Sequence, residues 1–181
     1  MTMPSRPTKL VRILFPEAFQ TEESALMHPA REARRLGGAA PASPMLAVTG
    51  HAKTSLVRLE RLASARGQSS SRAGTLLGQL FSIVRNVTTD LVMSAEKSYR
   101  GTILGMHHGM GVFHLLEDAA IVSGDQELAD FCSEWLSVRA GLIAACEREL
   151  AWFAQNPDVA LTRAARKPLS RLGQASRVAA T

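Results

Sequence analysis

The chain has 181 residues, of which 46% are hydrophobic, 20% charged and 5% aromatic, a composition that indicates one globular domain with modest tails and argues against two domains. Its apolar residues are mainly Ala, Leu and Val, which favours helices over a β-sandwich or barrel. The formal net charge of +5 comes from the two ends, because residues 45–156 carry ten Lys and Arg against eleven Asp and Glu.

The distribution of proline divides the chain into three parts. Six of the eight prolines fall within residues 1–44, and residues 45–156 contain none. A proline in a helix interior costs about 3 kcal/mol, so the proline-free window predicts an all-α fold: an up-and-down bundle of about four helices with a long C-terminal helical hairpin. We expect residues 1–44 to form a partly ordered N-terminal extension and residues 157–181 to form a basic flexible tail.

The first elements expected along the chain are a peripheral helix and the first bundle helix. The peripheral helix is short, covers residues 17–35 and is interrupted at Pro29. The first bundle helix is predicted to begin at Ser43-Pro44, an N-cap residue followed by proline at the first helical position, and to end at Gly67.

The second bundle helix has an uncertain end in the sequence. It is predicted to begin near Arg72, after a run of polar residues. β-branched and capping residues at 86–90 predict a kink or break, but an unbroken helix that ends near 98–101 also fits the sequence.

Two long helices are predicted to form the C-terminal hairpin. They cover residues 90–123 and 126–155, and the second ends before Pro157. Gly124 and Asp125 between them are a C′ glycine and an N-cap aspartate, which predicts a tight reversal and antiparallel packing.

The first helix of this hairpin contains an uncharged stretch at residues 101–116, if histidine is counted as neutral. Apolar residues occur nearly all round it, so we expect it to be buried inside the bundle or against another subunit, and we favour a homo-oligomer or a protein partner. Small residues recur at intervals of four on both helices, which predicts a close helix contact. The residues expected to line that contact are Gly101, Gly105, Gly109, Gly141 and Ala145.

The antiparallel register also predicts a group of ion pairs. It places Arg100 near Glu147 and Arg148, and it places Glu96 near Arg148. A structural salt-bridge network is the favoured interpretation, and an anion-binding or acid–base site is the alternative.

A metal site is a second hypothesis for the hairpin. His114 and Asp118 lie one turn apart and face Glu134 and Asp130 of the antiparallel partner helix. One imidazole and several carboxylates suit Fe, Mn or Zn, although ordinary capping of a helix hairpin explains the same residues. We expect no cofactor, and an organic ligand or haem is a further alternative.

A long helical hairpin with acidic residues, a tyrosine and a histidine inside or near a bundle resembles the ferritin-like superfamily. The resemblance covers residues 45–156 by architecture and implies that superfamily's fold. Members with a working di-iron centre carry a Glu-x-x-His pair on each of two helices, whereas this chain has none, so ferroxidase activity would need a partner subunit. The residues that carry the resemblance are Glu96, Tyr99, His114, Glu117, Glu134 and Glu147.

Three functions follow as hypotheses. The favoured one is a non-enzymatic adaptor, scaffold or small regulatory protein that acts through self-association or a protein partner. The alternatives are a metal- or cofactor-binding bundle and a weak nucleic-acid binder that uses the basic tails. The amino terminus lacks the apolar run of a secretory signal, so we expect a cytoplasmic protein with no transmembrane segment and with Cys132 and Cys146 as reduced core thiols.

Overall fold

The computed structural model describes residues 8–68 and 93–163. These residues form helices and no strand, which confirms the predicted all-α fold. Four long helices make the bundle and two short ones follow. Their bounds are α1 Lys9–Leu36, α2 Ala42–Ala65, α3 Ala95–Val122, α4 Gln126–Arg148, α5 Leu150–Gln155 and α6 Pro157–Ala160.

Helix α1 is a full core helix. Its N-cap is Thr8, whose side chain accepts a hydrogen bond from the backbone N–H of Val11 at 3.3 Å. The helix runs through Pro16 and Pro29 without ending, so the expected short peripheral helix interrupted at Pro29 is wrong. The reason is burial at intervals of three and four residues, which lets core packing outweigh the hydrogen bonds lost at proline. The buried residues are Val11, Leu14, Phe15, Ala18, Glu22, Ala25, Pro29, Glu32, Ala33 and Leu36.

Helix α2 packs antiparallel to α1. It begins after Pro41, so Ser43 is not its N-cap. Gly37 in the connecting turn has φ +62°, and Gly67 after the end of α2 has φ +64°, conformations that glycine adopts without strain. The predicted end of this helix at Gly67 is confirmed within two residues.

The C-terminal hairpin folds as the sequence predicts. Gly124 has φ +70° and ends α3, and the side chain of Asp125 accepts a hydrogen bond from the backbone N–H of Leu128 at 3.2 Å to begin α4. Helix α3 starts after an N-cap at Ser94. The predicted helix to residue 155 is divided at Glu149 into α4 and the short α5.

The four long helices occupy the corners of a square. Helix α1 packs against α2 and α3, and α4 packs against the same two helices, so α1 and α4 lie on one diagonal. The end of α2 lies beside the α3–α4 turn, because Arg66 binds Asp125 there. The end of α2 and the start of α3 therefore lie at opposite ends of the bundle, an arrangement that is compatible with a ferritin-like architecture.

Some sequence predictions fall outside the described residues. They are the second bundle helix near residue 72, the break at 86–90 and the tail beyond residue 163. The predicted domain limits at 44 and 156 stay predictions, although core helices lie on both sides of the first limit. No helix of the described ranges is long and apolar enough to cross a membrane.

Two apolar clusters fill the bundle. In the cluster near the α3–α4 turn, the rings of Phe113 and Trp135 stack with centroids 3.6 Å apart. In the other, Tyr99 contacts Phe153, and its hydroxyl donates to the carbonyls of Pro41 and Cys146, at 3.3 and 3.2 Å. At the same end, the backbone N–H of Ala95 donates to the carbonyl of Thr162 at 2.8 Å, which ties the C-terminal turn to the start of α3.

Candidate interaction surface and buried charges

The outward side of α3 carries an apolar stripe. We call it the α3 stripe and define it by six residues at alternating spacings of four and three, all of them exposed: Leu104, His108, Gly111, Leu115, Asp118 and Val122. The three large apolar members are 71%, 46% and 86% exposed, in the order Leu104, Leu115 and Val122. Spacings of four and three are the pattern of a helix that packs along another helix.

The stripe points away from the bundle because both of its flanks are occupied. On one side, Gly109 lies against Thr21 of α1. On the other side, Nε2 of His107 lies 2.9 Å from Oε1 of Glu147 on α4. At 100° per residue the stripe lies between these two contacts, so the packing within the described residues leaves it uncovered.

Other exposed apolar residues are spread over the molecule. Helix α3 holds four of the eleven large apolar residues that are exposed among the described ranges, more than any other helix, and three of the four lie on the α3 stripe. Isolated apolar residues are ordinary on protein surfaces, whereas several on one helix face mark an interaction site. The eleven are Leu10, Ile13, Met27, Leu46, Val57, Leu104, Leu115, Ile121, Val122, Val138 and Leu161.

A buried ion pair joins the diagonal helices α1 and α4. Nη2 of Arg139 donates to both carboxylate oxygens of Glu22, at 2.7 and 2.8 Å, and the side chains are 1% and 0% exposed. Burial raises the pKa of Glu22 and outweighs the opposing charge of Arg139. The guanidinium also lies 4.7 Å from the centre of the Trp135 ring, a cation–π contact.

A second buried carboxylate, Glu32, joins α1 to α3. Nη1 of Arg35 donates to both of its oxygens, at 2.8 and 2.7 Å, and the hydroxyl of Ser98 donates to Oε1 at 2.7 Å. Burial raises the pKa of Glu32 despite the nearby charge of Arg35. These bonds satisfy a carboxylate that would otherwise be costly to bury.

A third buried pair connects the end of α2 to the α3–α4 turn. Nε and Nη2 of Arg66 donate to the two oxygens of Asp125, at 2.6 and 2.5 Å, which is the bidentate geometry of a strong ion pair. Burial acts to raise the pKa of Asp125, but the hydrogen bonds from Arg66 and from the backbone of Leu128 outweigh it and hold that pKa below its ordinary value.

A small cavity lies between α1 and α3 and reaches the buried arginine. Its volume is about 40 Å³, which is room for a few water molecules and well below the several hundred Å³ of typical small-molecule sites. Its lining includes hydroxyl-bearing residues of α1 and α3 together with Arg139 and Trp135 of α4. The lining comprises Thr21, Ser24, Ala25, His28, Pro29, Thr102, Gly105, Met106, Trp135 and Arg139.

Three of the four residues predicted to bind metal have other contacts, and the fourth, Asp118, is exposed. Nδ1 of His114 is 3.9 Å from Oε2 of Glu117 on its own helix, and Glu134 accepts a hydrogen bond from Arg58 at 2.8 Å. Asp130 accepts one from Gln126 at 2.7 Å, and Asp118 is exposed on the α3 stripe. Within the described ranges, no group of three or more His, Cys, Asp or Glu residues is placed to hold a metal ion.

The predicted ion-pair group is divided between two contacts. Arg100 pairs with Glu96, one turn earlier on the same helix, and Glu147 contacts His107 in place of Arg100. Arg148 is exposed at the end of α4. Glu147 therefore contacts a residue about two turns along α3 from its predicted partner, and the pairs form with other partners.

The predicted glycine contact between α3 and α4 is corrected by the structure. A Cβ atom on Gly105 or Gly141 would meet nothing within 4 Å, and one on Gly101 would meet only the terminal methyl of Met93 at 4.0 Å. Gly109 is the position of close approach, and it faces α1 because α1 occupies a bundle corner that was expected to belong to a later helix. Ala145 is half-buried on α4.

The buried charges of α1 and α4 were not predicted from the sequence. Glu22, Glu32 and Arg139 each stand among apolar residues at helical spacing, and that position is the signal that would have identified them as core residues. The cysteines were correctly predicted to lie in the core, since Cys132 and Cys146 are free and buried.

Comparison of the chain with protein-family models, with curated proteins and with solved structures finds no match.

Proposed function

We propose that this protein is a non-enzymatic helical-bundle adaptor or scaffold that acts through self-association or a protein partner. One observation carries the proposal: the α3 stripe presents three large apolar side chains at the spacing of a helix–helix interface, and no described part of the chain covers it.

The energetics favour an occupied stripe. Burial of an exposed Leu or Val side chain contributes about 1.5–3 kcal/mol. Leu104, Leu115 and Val122 together therefore supply several kcal/mol to a partner helix that covers them. Gly111, in the middle of the stripe, lets a partner side chain approach the helix backbone closely.

A photo-crosslinking experiment tests this proposal. The crosslinking amino acid p-benzoylphenylalanine replaces Leu115 in full-length protein expressed in cells, and it replaces Val57, an exposed apolar residue on α2, as the matched control. We expect one dominant protein adduct, identified by mass spectrometry, at position 115 and none at 57. Equal labelling at both positions, or no protein adduct at 115, would refute the proposal.

Simple measurements separate the other two functional hypotheses from this one. Untagged protein that contains stoichiometric Fe, Mn or Zn would favour the metal-binding bundle, and the His114→Ala variant would then have to lose that metal. DNA binding that falls by orders of magnitude between about 50 and 200 mM salt would favour the nucleic-acid hypothesis.

A further inference from the structure

We infer that the occupant of the α3 stripe is the same stripe of a second copy of this chain, packed antiparallel about a two-fold axis level with position 113. This inference rests on the proposed function and names its partner. It follows from the order of residues along the stripe. When a second copy of the stripe runs in the opposite direction, each residue faces a residue of matching size or charge.

Two antiparallel copies of the stripe form three kinds of facing residue pair, which we call layers. Leu104 lies opposite Val122 of the partner subunit, His108 opposite Asp118 of the partner subunit, and Gly111 opposite Leu115 of the partner subunit. Each layer occurs twice, once on either side of the axis, as a two-fold interface requires. In heptad terms every layer sets an a position against a d position, which is the geometry of antiparallel helix pairs.

In each layer, the two facing side chains are chemically compatible. The outer layers join apolar side chains that are 71% and 86% exposed in the single chain. The next layers join an imidazole N–H donor to a carboxylate acceptor. In the central layers, the leucine of one copy enters the space above the glycine of the other, where an added Cβ atom would meet nothing within 4 Å.

Other alignments of the same two stripes are worse. A parallel pair would set Asp118 against Asp118 and Gly111 against Gly111, which gives a like-charge contact and an unfilled gap. An antiparallel pair moved by one heptad toward the C-terminus would set Leu115 against Asp118. A move of one heptad toward the N-terminus would leave Asp118 and Val122 without partners.

The bundle leaves room for this contact. Because α3 is a corner helix that touches α1 and α4, two copies can meet along their α3 corners without displacement of either neighbour. The stripe extends over about 27 Å of helix, at 1.5 Å per residue. A single helix pair of this length is a small interface, so we expect an association that depends on protein concentration.

Cysteine crosslinking tests the register. One sample of full-length protein carries Gly111→Cys and another carries Leu115→Cys, and we expect a disulfide-linked dimer only when the two are mixed and oxidised. Each variant alone gives no link, because like positions on the two copies are offset along the axis by about 6 Å in addition to the helix separation. The native thiols Cys132 and Cys146 are buried and give a low background. A link from Leu115→Cys alone would show parallel or shifted helices and overturn the inference.

Charge reversal tests the same interface in solution. Asp118→Lys should raise the dimer dissociation constant at least about tenfold in sedimentation equilibrium, and His108→Asp combined with Asp118→Lys should restore it, because the double variant exchanges the two partners. Asp130→Lys, an exposed aspartate on α4, is the matched control and should leave the dimer unchanged.

The outcomes distinguish this inference from the proposed function. A crosslink from position 115 to a different protein, with no dimer at any concentration, refutes the second copy as partner but leaves the adaptor proposal standing. A monomer whose Leu115→Lys variant unfolds more readily refutes both, because it shows that the stripe is buried within the single chain.

Discussion

Asp125 combines two contacts in one side chain. Its carboxylate accepts the N-cap hydrogen bond that begins α4, and it also binds the buried guanidinium of Arg66. The first contact needs only an oxygen acceptor, whereas the second needs a negative charge, because Arg66 is 1% exposed in its side chain. Substitutions at this position can therefore separate capping from charge pairing.

Asp125→Asn should remove the charge and keep the cap, since asparagine is as good an N-cap as aspartate. We expect it to lower the free energy of unfolding by about 1.5–3 kcal/mol, the value of hydrogen bonds to a charged group, because Glu127 remains 3.2 Å from Nη2 of Arg66 as a second counter-ion. Asp125→Ala should cost about 1 kcal/mol more, which is the value of the lost cap. Urea denaturation at pH 7 measures both, and equal stability of the Asn variant and the native protein would contradict this account.

The lowered pKa of Asp125 predicts that the free energy of unfolding decreases at acidic pH. Its pKa is lowered in the folded protein, so the unfolded chain binds the proton more readily as the pH falls. The stabilisation is present above the unfolded pKa of about 3.9 and is lost as the pH falls through the lower folded value. Urea midpoints between pH 5 and 2.5 should therefore fall less steeply in Asp125→Asn than in the native protein.

The lowered pKa of His51 predicts a second pH dependence of stability, in a higher pH range than that of Asp125. Burial, together with the charge of Arg139, lowers its pKa to about 4, against the opposing charge of Glu134. The unfolded chain takes up a proton near a pH of about 6.5 and the folded protein only at lower pH, so His51 makes stability decrease as the pH falls through that window. The loss in urea midpoint between pH 7 and 5 should be smaller in His51→Gln than in the native protein, and an unchanged loss would show that His51 titrates normally.

At the scale of elements, α1 and α3 approach each other closely at one glycine, Gly109. A Cβ atom at Gly109 would lie 2.5 Å from Cγ2 of Thr21, which is shorter than real Cβ contacts, so one of the helices or the threonine must move. Gly105, one turn earlier on α3, has nothing within 4 Å of the same added atom. The two glycines are a matched pair for testing close packing against helix propensity.

Gly109→Ala should destabilise the protein by about 1–3 kcal/mol through overpacking. Gly105→Ala should be neutral or stabilise it by up to about 1 kcal/mol, because alanine favours the helix and meets no atom. Removal of the opposing methyl in the double variant Gly109→Ala with Thr21→Ser should recover most of the loss. Thermal and urea denaturation measure all three, and a stable Gly109→Ala single variant would contradict the close approach.

Element prediction succeeded where local signals agree with tertiary packing. The turn at Gly124-Asp125 was predictable because a C′ glycine and an N-cap aspartate act locally. Helix α1 is harder to predict, because Pro16 and Pro29 indicate breaks whereas the apolar spacing from Val11 to Leu36 indicates one continuous helix. Burial in the core outweighs the local cost of Pro16 and Pro29. The number of prolines in a segment does not indicate whether that segment is buried.

At the scale of the whole molecule, the Glu22–Arg139 pair links helices that otherwise lie on opposite corners of the bundle. Neither residue was predicted as a site, because a pair 117 positions apart can be recognised only when the helix arrangement is known. The sequence was sufficient to predict the fold class and the hairpin, but not the position of α1 in the bundle. That position decides which helix faces are buried and which face of α3 is left exposed as the α3 stripe.

Glu22→Leu or Arg139→Met alone should lower the free energy of unfolding by about 3–5 kcal/mol, because each leaves one buried charge without its partner. The double variant Glu22→Leu with Arg139→Met should lie within about 1 kcal/mol of the native protein, since a desolvated pair is replaced by apolar groups. Circular dichroism during urea unfolding gives the full double-mutant cycle. Additive losses in the double variant would show that the two residues act independently.

The hydrogen bond from Ala95 to Thr162 has a practical bearing on where the chain can be shortened. A fragment that stops at residue 156 would delete the acceptor for the first turn of α3, which lies far upstream in the sequence. The first turn of α3 would then be destabilised although no residue of α3 had been changed. Deletion mapping would assign the loss of stability to α3 and not to the deleted C-terminal residues.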